Sequence, residues 1–170
     1  MDRTASDADF TVFVETEGEW LGRLAVMLVR DRGAAEDLVQ DTLLKVYGAW
    51  DRVDRATAFA YARRTMVNLA TDRWRRRRYE VVAGHEADRD ASPASAEGYE
   101  AVDARDQIVR QLGRLSARER AMVVLRYYAD LPEAEVAREL GVSVGTVKST
   151  CSRALAQLRG PEAATTGRSA

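Results

Sequence analysis

Tyr61, Arg64, Asn68, Asp72 and Arg75 follow one another at spacings of 3, 4, 4 and 3 residues, the rhythm of one helix face. The chemistry of that face points to nucleic acid. A phenol ring stacks on an unpaired base, a side-chain amide pairs with a base edge, and guanidinium groups hold phosphates. The run Arg75-Arg76-Arg77-Arg78 adds a dense positive end. Arginine also suits a helix C-terminus, where it complements the macrodipole, so the run alone is a weak sign. On the other side of the same segment stand Phe59, Ala62, Met66, Leu69 and Ala70, an apolar face that predicts burial.

A second set lies near the C-terminus. With 100° per residue, Gly145, Lys148, Ser149, Ser152, Arg153 and Ala156 point outward from a helix, and Val147, Cys151, Ala154, Leu155 and Leu158 point inward. Small residues let such a helix sit deep in a major groove, and the donors among them reach bases and phosphates. Just upstream, Ala137 supplies the close helix contact, Gly141 the turn, and Val136, Leu140 and Val142 the inward positions of a helix-turn-helix. Pro132 suits a first helical turn, and Ser143 can cap the second helix. Cys151 reads as a small core residue.

No comparable set exists for catalysis. One cysteine, Cys151, and one histidine, His85, leave neither a disulfide nor a zinc cluster. There is no P-loop and no nucleophile–base pair, so the expectation is a protein without enzymatic activity, metal or cofactor.

The elements that must position these residues are helices. Phe10, Phe13, Val14, Trp20, Leu21, Leu24, Ala25 and Leu28 recur at helical spacing, with Gly33 as a candidate stop. A second run holds Ala35, Leu38, Val39, Leu43, Val46, Tyr47 and Trp50; a polar loop at 51–57 follows, and a third helix starts near Ala58. After a stretch rich in Gly, Ser and acidic residues, periodicity resumes at Tyr99, and Ser116-Ala117-Arg118-Glu119 has the capping-box pattern. The expected fold is all-α: two small helical domains, 1–79 and 99–160, joined by an acidic flexible linker, 80–98, and followed by a polar tail, 161–170. The second domain is the helix-turn-helix.

Charge divides along the same lines. The net charge of −1 hides 14 basic and 13 acidic residues in 1–79, 2 and 8 in 80–106, and 10 and 6 in 107–170. Local charge therefore argues for nucleic acid where whole-chain charge would not. No apolar run reaches the ~20 residues that cross a bilayer, and no signal-peptide core precedes Glu19, so a cytoplasmic protein without membrane attachment is expected.

Three stretches carry a family resemblance: Ala35-Glu36-Asp37-Leu38-Val39-Gln40-Asp41-Thr42, Val67-Asn68-Leu69-Ala70-Thr71-Asp72-Arg73-Trp74-Arg75-Arg76, and Ser143-Val144-Gly145-Thr146-Val147-Lys148-Ser149. In this order the chain resembles the extracytoplasmic-function (ECF, group 4) sigma factors of the sigma-70 family, in an actinobacterial-type subgroup. The resemblance implies a protein that binds core RNA polymerase and directs it to −10 and −35 promoter elements. Asp37, Gln40, Asp41 and Leu44 would dock on the clamp helices of the β′ subunit, and the β flap would be a further contact on the polymerase. Asp54 and Arg55 of the 51–57 loop, with Tyr61, Arg64, Asn68, Asp72, Arg75 and Arg76, would capture −10 bases flipped from the non-template strand. Ser143, Gly145, Thr146, Lys148, Ser149, Ser152 and Arg153 would read the −35 element. Many members of the family have an anti-sigma factor as a further partner. Two positions depart from the family pattern: Thr150 stands where many members have arginine, and Pro132 where most have a residue like serine. The linker could imitate nascent RNA in the polymerase's positive RNA path, or serve as a solubilising tether. The competing reading is a stand-alone helix-turn-helix regulator, which explains the C-terminal motif but not the basic aromatic helix.

Overall fold

The computed structural model describes residues 3–82 and 104–159, with side chains at 6–76 and 107–159. His85, most of the expected linker and the tail from 161 lie outside the described residues. The chain forms two compact units that divide at Tyr99 and Glu100. Among the described residues every regular element is helical, in keeping with the expected all-α class.

The first unit contains α1 (Arg3–Val29), α2 (Arg32–Ala49) and α3 (Ala58–Val82). The three pack on a core of Leu21, Leu24, Ala25 and Leu28 from α1, Ala35, Leu38 and Val46 from α2, and Ala62, Met66 and Val67 from α3. Each fully buried Leu or Met side chain contributes roughly 1.5–3 kcal/mol, so this seam dominates the unit's stability. Trp20 and Phe59 add an edge-to-face ring pair at 4.7 Å.

The turn between α1 and α2 corrects the expected stop at Gly33, which lies inside α2. The chain reverses instead at Arg30, whose φ of 66° is unusual for a residue with a side chain. Asp31 then caps α2, its carboxylate accepting from the Ala34 N–H at 2.7 Å. A carboxylate that satisfies an open helix N-terminus is a stronger boundary signal than a nearby glycine.

The 51–57 loop is more ordered than a polar loop. It folds as two 3₁₀ turns, Trp50–Arg52 and Arg55–Thr57. Asp54 caps the second, accepting from the Ala56 N–H at 3.0 Å. Beyond it α3 runs to Val82, three residues past the expected domain end at 79.

The second unit contains α4 (Ala104–Leu112), α5 (Ala117–Val123), α6 (Glu133–Leu140) and α7 (Val144–Arg159). The capping box forms as expected: Ser116 and Glu119 exchange bonds at the start of α5. The helix then continues through one π turn, Val124–Tyr128, closed by Ala129 N–H donating to Val124 O at 3.0 Å. Its core gathers Met122, Val124, Leu125, Val136, Val147, Cys151 and Ala154. Pro132 is the N-cap of α6, one position before the helical turn expected for it, and its carbonyl accepts from Val136. Gly141 ends α6 at φ 63°, the left-handed conformation that favours glycine.

Candidate nucleic-acid and partner interfaces

On α3, the 3-4-4-3 spacing brings Tyr61, Arg64, Asn68, Asp72 and Arg75 to the exposed side together, with Arg76 beside them. Asp72 lies 3.8 Å from Arg75, so one carboxylate sits within the basic face. The apolar side holds in outline: Ala62 and Met66 are buried, whereas Phe59, Leu69 and Ala70 are half-buried. Arg63 is buried with Val67, which the apolar pattern did not anticipate.

The loop residues behave differently. Arg55 sends its Nε to the Asp9 carboxylate at 2.7 Å and its Nη1 to the carbonyls of Trp50 and Val53 at 2.6 and 2.9 Å. Its guanidinium carbon lies 4.1 Å from the centre of the Trp50 ring. These contacts hold the exposed Arg55 against the loop and pair its charge with Asp9, so its geometry is that of a brace for the loop. Asp54 likewise serves the backbone, capping one turn.

On α2, Asp37, Gln40 and Leu44 are exposed, and Leu44 is 70% open to solvent. Asp41 is different: it accepts from Arg73 of α3 at 2.6 Å, and Arg73 also reaches the Ala34 carbonyl at 3.4 Å. Of the four α2 residues singled out by the resemblance, three face solvent and one ties α2 to α3.

In the second unit, Gly145, Lys148, Ser149, Ser152, Arg153 and Ala156 are all exposed, and Val147, Cys151 and Ala154 are buried. Leu155 and Leu158 of the expected inner face are half-buried. Ser143 accepts from the Thr146 N–H at 3.1 Å and pairs with its hydroxyl at 2.8 Å, which supplies the expected cap. Both hydroxyls therefore already hold the start of α7. Thr150 is 6% exposed and faces the core, so the absence of arginine there leaves the outer surface of α7 intact. Burial pushes the Cys151 thiol above its ordinary value, which fits a core residue.

Sequence reasoning missed two further features. Arg120 of α5 is buried, its Nη1 3.4 Å from the Leu115 carbonyl. Tyr127 in the π turn is 52% exposed with Arg126 packed against its ring. Neither has a local pattern to announce it.

The fold and these faces define a two-unit helical protein with a basic helix in one unit and a helix-turn-helix in the other. Residues 13–79 match the model for sigma-70 region 2, and residues 105–158 the model for sigma-70 region 4. The chain is 40% identical over 152 residues to the RNA polymerase sigma-E factor of Streptomyces avermitilis, covering 89% of this chain and 83% of that one. It is 36% identical over 147 residues to the ECF RNA polymerase sigma factor SigL of Mycobacterium tuberculosis, covering 82% and 80%. Among solved structures it resembles the sigma factor RpoE of Bartonella quintana, determined in complex with the anti-sigma factor NepR. There the TM-score is 0.60 at 25% identity, with 94% of this chain and 99% of that chain covered. The chain belongs to the ECF sigma factors of the sigma-70 family. It binds core RNA polymerase and promoter DNA and directs transcription initiation; the chemistry is the polymerase's. Family membership decides against the stand-alone regulator.

Proposed function

We propose how the initiation role divides over this surface. Asp37, Gln40 and Leu44 dock on the β′ clamp helices, with Asp41 holding α2 against α3 behind them. The second unit reaches the β flap. The loop 50–57 and Asn68 receive −10 bases, Tyr61 offers a ring for stacking, and Arg64, Arg75 and Arg76 follow the phosphates, with Asp72 among them. Helix α7 engages the −35 element, Ser149, Ser152 and Arg153 reading it and Lys148 holding a phosphate, with Gly145 allowing close approach and Ser143 and Thr146 presenting the helix start. The observation that supports this most is the exposure of Tyr61, Arg64, Asn68 and Arg75 along one side of α3, directly after the braced loop. Melting needs a pocket and a cationic track together, because extruding a base costs a few kcal/mol.

Two finer partners belong to the same reading. An anti-sigma factor is supported by the solved relative held by one. A cytoplasmic site of action follows from binding polymerase and DNA; among the described residues no helix is long and apolar enough to cross a membrane. Reconstitution with core polymerase and mapping of transcript starts on genomic DNA tests the whole. Starts confined to promoters with a shared −10 and −35 pattern support it, and starts without any common −10 sequence overturn it.

A further inference from the structure

The first turns of α1 lie against the loop rather than standing clear of it. Ser6 Oγ donates to Asp51 Oδ1 at 2.8 Å, and Tyr47 Oη to Asp7 Oδ1 at 2.7 Å. Arg55 Nε donates to Asp9 Oδ2 at 2.7 Å. Beneath them Phe10 sits 5.0 Å from both Tyr47 and Trp50, and Phe13 5.1 Å from Trp50. The three polar bonds span 40 to 46 residues of sequence, so they are tertiary contacts and not consequences of the local turn.

We propose that this segment of α1 is a clasp that sets the conformation of the 50–57 loop, and that Asp9, acting through Arg55, is a positioning residue for −10 selectivity. The inference rests on the reading of that loop as the −10 receptor. Arg55 is the pivot. One guanidinium bonds two loop carbonyls and covers the Trp50 ring, and Asp9 is the carboxylate described against its outer edge. Without Asp9, Arg55 would carry an uncompensated charge at a surface meant to admit polyanionic DNA. It would then exchange loop carbonyls for phosphate, and the loop would lose the shape that discriminates bases. Ser6 pins the other end of the loop at Asp51. The clasp thus acts on selectivity while touching no base.

The experiment uses holoenzyme, assembled from core polymerase and the full chain, on a promoter library randomised at the −10 element. Asp9→Asn is expected to reduce the preference for the favoured base about two- to five-fold at one or more positions, the scale of a partly exposed ion pair. Polymerase affinity stays unchanged. Asp9→Glu is expected to keep the profile, and Asp9→Asn to add nothing in an Arg55→Ala background. Ala56→Asp, placed on the exposed loop, tests the underlying reading separately. If it alters −10 preference and Asp9→Asn does not, the clasp is wrong. If neither alters it, the loop is not the −10 receptor and the inference falls with that reading. Additive effects of Asp9→Asn and Arg55→Ala also overturn the clasp.

Discussion

Asn68 carries the narrowest claim on base identity. Its amide is exposed midway along the α3 face, and an amide that pairs with one base edge discriminates by roughly 1–3 kcal/mol. Asn68→Ala is therefore expected to flatten the preference at one −10 position and leave the others, as read from promoter-library transcription. Unchanged preference at every position removes Asn68 from that role. Trp50 carries a different claim. It is 2% exposed and its Nε1–H has no acceptor among the described residues, whereas its ring supports Arg55. An orphaned buried donor costs about 1–3 kcal/mol. Trp50→Phe keeps a ring, removes the donor and opens a small void, so unfolding stability is expected to change by less than about 1 kcal/mol, far below the usual Trp→Ala loss of about 3–5 kcal/mol. Residue identity told the two sides of α3 apart because an exposed helix face is a local, periodic property. It could not place Arg55, because stacking on a ring five positions earlier depends on 3₁₀ turns and on Asp9 from another helix.

Among the elements, α5 and α7 allow the sharpest tests. Hydrogen bonds from the Ser116 hydroxyl and then its backbone N–H hold the Glu119 carboxyl below its ordinary value of 4.5. A lowered folded value means stabilisation that is present above the ordinary carboxyl range and fades as pH falls through the folded value. Ser116→Ala should therefore cost the second unit about 1 kcal/mol at neutral pH and distinctly less in acid that protonates Glu119, measured by denaturant unfolding at both pH values. Equal costs at both pH values would leave the Ser116 hydroxyl's bond to the Glu119 carboxylate without a stabilising part beyond the pH-independent cap on the Glu119 N–H. On α7, a Cβ at Gly145 would meet only Ser143 Oγ, at 3.9 Å. Gly145→Ala should then raise helix stability by up to about 1 kcal/mol while weakening −35 binding. If binding holds, close approach at Gly145 is not part of recognition. The capping box was legible because its four residues suffice to define it. The π turn was not, since the bonds of Ala129 and Leu131 back to Val124 and Leu125 depend on how α5 packs on the helix-turn-helix. Thr150 likewise reads as a helix-surface residue until α7 is seated.

At the scale of the whole molecule, the proposed division of roles puts two small units on one promoter through one polymerase. A tethered second contact becomes intramolecular, so each unit can bind weakly by itself while the pair holds firmly. On the proposed reading, the exposed cations supply the salt-dependent part of that hold. Arg64 and Arg75 are exposed cations in one unit and Lys148 in the other, and each phosphate contact they make adds about one unit to the slope of log affinity against log salt. Arg64→Ala and Lys148→Ala should each lower the slope by about 1, weaken all promoters alike and leave base preference intact. Because the two residues belong to different units, their free-energy costs should add to within about 0.5 kcal/mol in the double variant. Holoenzyme affinity for one promoter, titrated with salt for the parent, both single variants and the double variant, decides the matter. A coupling above about 1 kcal/mol would mean that one unit's grip changes how the other engages DNA, and the promoter would then be read as one surface instead of two.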